Sequence, residues 1–176
     1  MGHTLVTRFD AEGIQIIHNI LKPFSPNKIP FGRNCDRVLA NAALDYHMTM
    51  FHWGKAMDSF YLDRLEHFHP LPCRLLVTGI DMLHAEEGSF LLYFSVAPGE
   101  GFHEMMAALE TQLNSRFSGF PHITIAVSKD WTETEALLSH ILKYTTFPFH
   151  LNVEGLDLYH IWKPTHKVRS LLPQSD

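Results

Sequence analysis

Asp45-Tyr46-His47-Met48-Thr49-Met50 and Phe120-Pro121-His122-Ile123-Thr124-Ile125 share one pattern, His-apolar-Thr-apolar, with 75 residues between His47 and His122. Side chains in a strand alternate between faces, so His and Thr share one face of each stretch and the apolar residues take the other. The pattern predicts two strands whose apolar faces pack on helices, through Met48 and Met50 in one and Ile123, Ile125 and Val127 in the other. His47, Thr49, His122 and Thr124 then point away from that core. A single copy would carry little weight in a chain with 13 histidines. About one accidental His-x-Thr is expected at this length, and about 0.2 with both apolar positions required. The signal is the pair.

The elements around the two strands also recur. Leu5 to Phe9 reads as a strand, and Asp10 is a good N-cap for a helix carrying Ile14, Ile17, Ile20 and Leu21. Pro23 and Pro26 stop it, and a strand from Leu44 to Trp53, a helix from Met57 to Phe68 and a strand from Arg74 to Leu83 follow. The order then starts again: strand Phe90 to Val96, a helix with Met105, Met106, Leu109 and Leu113, strand His122 to Val127, helix Glu133 to Lys143, strand Leu151 to Ile161. A short strand at Val168 to Leu172 closes the chain. This predicts an internal duplication, with approximate repeats 3–84 and 89–172 inside one domain spanning 1–176.

Composition narrows the classes. The 176 residues, 45% hydrophobic and 19% charged, fit one ordinary globular domain and exclude disorder, collagen and coiled coil. A formal charge of −5 lacks the footprint of a protein that grips long nucleic acid through many phosphates, but leaves room for a local basic pocket. Cys35 and Cys73 form no paired spacing, so neither a zinc module nor a disulfide framework is indicated. No signal core or long apolar run is present, and a cytoplasmic monomer without membrane contact is expected.

With its two H-h-T-h motifs in a duplicated chain of under 200 residues, the sequence resembles the 2H phosphoesterase superfamily, nearest its bacterial 2′-5′ RNA ligase-like or cyclic phosphodiesterase group. The resemblance implies an α+β fold of two pseudo-symmetric lobes, each an antiparallel sheet with outer helices, facing across a central cleft lined by the motif strands. It also implies a small nucleotide or RNA-end substrate, and no metal or other cofactor. Many ligase-like members carry an Arg shortly after the second motif. Here the run is Ile125-Ala126-Val127-Ser128-Lys129, where Lys129 offers a point charge without the bidentate fork.

The residues support the same chemistry. Opening a cyclic phosphodiester needs one group to take a proton from the attacking water and another to protonate the departing alkoxide. Imidazole, titrating near 6.5 when unperturbed, can fill either role near neutral pH. The Thr hydroxyls can donate to non-bridging oxygens as charge builds. His47, Thr49, His122 and Thr124 are therefore the candidate catalytic residues, with either histidine as base.

Phe51 and Trp53 continue the His47 face, where they either stack on a base or pack in the core. Arg33 and Arg37 lie in the loop before the first motif, either contacting phosphate or simply solvated. Gly99 and Gly101 precede a helix in an ordinary turn or a phosphate-binding one. His52, His67 and His69 lack partners at zinc-site spacing. The competing functions are a nucleotide-binding module that uses the same cleft without turnover, and a metallohydrolase.

Overall fold

A computed structural model describes residues 2–22, 46–53, 59–84, 88–160 and 163–173. The described residues form seven strands, β1 (His3–Phe9), β2 (Thr49–Trp53), β3 (Cys73–His84), β4 (Phe90–Pro98), β5 (His122–Ser128), β6 (Phe149–His160) and β7 (Lys163–Leu171), and four helices, α1 (Ala11–Leu21), α2 (Ser59–Glu66), α3 (Phe102–Leu113) and α4 (Trp131–Tyr144). Helix starts follow local chemistry: the Asp10 carboxylate accepts from the Gly13 N–H at 2.7 Å, and Asp130 caps α4 through the Glu133 N–H at 3.1 Å.

All strands join one antiparallel sheet in the order β2-β1-β6-β3-β4-β5, with β7 pairing β6. The order reads the same when the repeats are exchanged, which is the signature of a pseudo-two-fold. It also shows that repeat and lobe are different units. The last strand of each repeat crosses over, so that β6 pairs β1 of the first repeat and β3 pairs β4 of the second. The two halves are one continuous sheet, joined where Cys73–Val77 meets Phe149–Val153.

One face of the sheet carries Leu5, Phe9, Leu75, Val77, Leu92, Phe94, Leu156 and Leu158 into a single core with Ile17, Leu65, Met105, Leu109, Leu137 and Ile141 of the helices. Each such side chain contributes about 1.5–3 kcal/mol when fully removed from water. The edge strands of the sheet then meet: Met48, just before β2, forms an isolated antiparallel bridge with Ile123 of β5. Both are 0% exposed. A six-strand ring has no room for helices inside, so the helix-free face is the concave one.

Gly99 and Gly101 belong to this framework. A Cβ on Gly99 would lie 2.7 Å from the Arg74 carbonyl oxygen, and one on Gly101 2.6 Å from that of Pro72. The turn packs its backbone on the start of β3 instead of opening toward a ligand, with Arg74 N–H donating to the Glu100 carbonyl at 2.8 Å. Gly101 also has φ +73, where a side chain is strained. Gly101→Ala is expected to lower stability by about 1–3 kcal/mol, read as a reduced urea midpoint at unchanged slope.

Candidate active site

The Met48–Ile123 bridge fixes the relation of the two motifs. In an antiparallel pair the residues flanking a bridge oppose each other crosswise, which puts His47 at the register position of Thr124 and Thr49 at that of His122. Met48 and Ile123 point into the core, and the four His and Thr side chains, all partly exposed, take the opposite, concave face. The first motif is pinned from β1: the Met48 N–H donates to the buried Thr7 hydroxyl and the Thr7 N–H to the Met48 carbonyl, each at 2.9 Å. Pairing with β4 holds the second, Ser95 opposite His122 and Tyr93 opposite Thr124.

His122 is oriented by its own chain. Its Nδ1 lies 3.0 Å from the Phe120 carbonyl oxygen. A carbonyl only accepts, so Nδ1 carries hydrogen whether the ring is neutral or charged, and proton exchange falls to Nε2. The Phe120 ring stacks on the imidazole at 4.4 Å and 22°, and Tyr93 meets both rings edge-on at 5.4 and 5.6 Å. Burial, reinforced by Asp81, pushes the Tyr93 hydroxyl above its ordinary pKa.

Immediately after each motif the strand bulges, at the same place. Leu5 faces Phe51 but Val6 faces Thr49, leaving Met50 extra; Leu92 faces Ala126 but Tyr93 faces Thr124, leaving Ile125 extra. A bulge reverses the alternation that follows it. Phe51 and Trp53, expected on the His47 face, therefore lie on the core side, stacked on each other at 5.7 Å, with Phe51 only 7% exposed. Of the two roles open to them, the structure gives core packing. His52 takes the concave face instead, opposite Thr4. Val127, expected with Ile123 and Ile125, likewise turns to the concave face, and Ala126 joins the core.

Lys129 is exposed just beyond β5, about 16 Å of strand from Thr124, and is not brought to the motifs. Arg33 and Arg37 lie outside the described residues. Among the described residues no three His, Cys, Asp or Glu side chains cluster as a metal site, and no helix is long and apolar enough to cross a membrane.

A second repeated motif escapes a reading that starts from His and Thr. Gly79-Ile80-Asp81-Met82-Leu83-His84 and Gly155-Leu156-Asp157-Leu158-Tyr159-His160 share G-h-D-h-h-H at a spacing of 76, in the two crossover strands. The concave face consequently carries matched rows. Thr49, Val6 and Asp157 correspond to Thr124, Tyr93 and Asp81 across three adjacent strands.

A mixed α/β fold built on one antiparallel sheet matches the fold of the 2H phosphoesterases. A profile of the 2′-5′ RNA ligase superfamily matches residues 19–163, and the chain belongs to that superfamily of phosphoesterases and ligases. Solved structures of the same fold include TT0787 of Thermus thermophilus (17% identity, 99% of this chain and 100% of that chain, TM-score 0.56). Others are apo E. coli LigT (14%, 90% and 86%, 0.51) and Kluyveromyces marxianus Usb1 (11%, 97% and 97%, 0.51). No curated protein sequence matches the chain.

Proposed function

We propose that this chain is a metal-independent phosphodiesterase, acting on a 2′,3′-cyclic phosphate or a 2′-5′ phosphodiester of a small nucleotide or RNA end. The observation that carries the reading is the crosswise register of the two H-h-T-h motifs at the Met48–Ile123 bridge. Water attacks phosphorus as one imidazole takes its proton. The bond from phosphorus to the sugar oxygen breaks on the opposite side, and the other imidazole protonates that oxygen. Thr49 and Thr124 donate to the non-bridging oxygens, stabilising charge that builds in the transition state. With the 5′-hydroxyl of a second RNA end in place of water, the same steps join a 2′-5′ linkage: that oxygen attacks the phosphorus of a 2′,3′-cyclic phosphate, one imidazole takes its proton, and the 3′ oxygen leaves with a proton from the other.

Nucleotides bound to proteins of this fold support the substrate class: one structure of K. marxianus Usb1 holds uridine monophosphate and one of E. coli LigT holds NADP+. The net charge of −5 argues for a short substrate, since long nucleic acid is held by many cations.

The test is a panel of 2′,3′-cyclic nucleotides and 2′-5′ linked dinucleotides assayed with excess chelator. Turnover is expected at the rate seen without chelator, because acid, base and charge stabilisation all come from side chains. Loss of turnover with rescue by zinc or manganese would make it a metallohydrolase, and nucleotide binding with no turnover of any substrate would make it a binding module.

A further inference from the structure

The halves of the concave face match closely, and one departure from the match is chemically pointed. Arg8 of β1 is the counterpart of Ser95 of β4: Ser95 pairs with both His122 and Gly79, while Arg8 pairs with Gly155 and follows Thr7, which faces Met48. Over Gly79 a Cβ would meet nothing within 4 Å, whereas at Gly155 it would meet the Leu171 carbonyl oxygen at 2.6 Å and Arg8 Nη2 at 3.1 Å, so the guanidinium reaches this glycine beside the β7 backbone.

Two carboxylates steer this guanidinium without closing on it. Arg8 Nε is 3.5 Å from Glu154 Oε2, and Nη1 is 3.6 Å from Asp157 Oδ1. Both separations exceed hydrogen-bond length. Arg8 Nε and Asp157 Oδ1 are buried with no hydrogen-bond partner among the described residues. Asp157 is instead paired by Lys167, whose Nζ is 2.9 Å from Oδ2. The buried Nε is closed to a ligand, so the donors left for one are those of Nη1 and Nη2, on a side chain 27% exposed and on the face that carries His47.

We propose that Arg8 binds a second phosphate of the substrate, next to the one held between His47 and His122. The substrate class is then an oligonucleotide end or a nucleoside bearing a further phosphate, in preference to a mononucleoside cyclic phosphate. This rests on the reading of the His/Thr site given above. The guanidinium lies over β6, two strand spacings or about 10 Å from β2. That is too far to share the reacting phosphate and suited to a neighbouring one, which a guanidinium takes bidentately. It also puts a fork in the cleft although the run after the second motif has none.

The test is calorimetric titration of the full chain with adenosine 3′-monophosphate and adenosine 3′,5′-bisphosphate. Wild type is expected to bind the bisphosphate at least about tenfold more tightly, a difference worth about 1.4 kcal/mol. Arg8→Gln should bring the two affinities within about twofold, and Arg8→Lys should restore part of the gap. Because Arg8→Gln alone leaves Asp157 short of a cation, Arg8→Gln/Asp157→Asn removes the pair together and should show the same loss. Equal affinities in wild type, no binding of either nucleotide, or a gap that survives in Arg8→Gln and the double variant would overturn the proposal. Failure of the site reading looks different: a wild type that discriminates the two nucleotides yet turns over no cyclic phosphate or 2′-5′ linkage.

Discussion

His122→Ala is expected to lower kcat for cyclic-phosphate hydrolysis by about 10²- to 10⁴-fold, and His47→Ala to do the same, the range for losing a general acid or base. The crosswise register makes the two losses parts of one event, since proton removal on one side of phosphorus and proton delivery on the other belong to the same displacement. The double variant should therefore fall far short of the product of the single effects. The wild-type rate should follow a bell in pH, because one imidazole must be neutral while the other is charged, and each single variant should lose one limb. The Phe120 carbonyl confines the His122 proton exchange to Nε2, so the limb lost in His122→Ala reports a single nitrogen. A folded His122→Ala protein with unchanged kcat and an unchanged bell would end the paired mechanism.

Much of this site could be read in the sequence because strand periodicity is local. The alternation of His47-Met48-Thr49 and His122-Ile123-Thr124 is enough to place four polar side chains on one face and two apolar ones on the other, and the buried Met48 and Ile123 obey it. The same reasoning failed one residue later. It assumes an unbroken period of two, and the bulges at Met50 and Ile125 insert an extra residue. A trace of them is present in the sequence, where Met50-Phe51 and Ile125-Ala126 set two apolar residues side by side directly after each Thr. A buried strand face also reads that way, so one copy is ambiguous, but two copies at the same offset are less so.

The crossover of β3 and β6 could not be read, because strand partners are chosen by contacts far apart in the chain. Residues 73–77 and 149–153 pair across the boundary between the repeats, and no local pattern marks them as partners. The G-h-D-h-h-H repeat was legible in principle. Its two copies keep a spacing of 76 against 75 for the His/Thr pair, a near coincidence that duplication requires and chance does not. Arg8 gave no sequence signal at all, since its place beside Gly155 and Asp157 depends on the pairing of β1 with β6.

Thr49→Val is expected to cost more than Thr124→Val, although the two hydroxyls are related by the pseudo-two-fold. Each replacement keeps the shape and strand preference of the side chain and removes one donor to a non-bridging oxygen. Loss of such a donor typically lowers kcat by about 10²- to 10³-fold. The neighbours differ. Beside Thr49 in the sheet stands Val6, which has nothing to donate, whereas beside Thr124 stands Tyr93, whose hydroxyl is a donor at neutral pH. Tyr93 can take over part of the hydrogen bonding when Thr124 is lost, so Thr124→Val should fall short of the full penalty by about tenfold. Adding Tyr93→Phe should then bring it down to the level of Thr49→Val. None of these groups titrates between the limbs of the bell, so in single-turnover assays across pH the height should fall while its limbs stay in place. Equal losses in Thr49→Val and Thr124→Val, with no further effect of Tyr93→Phe, would show that the two halves stabilise the phosphoryl oxygens symmetrically and that Tyr93 has no part in it.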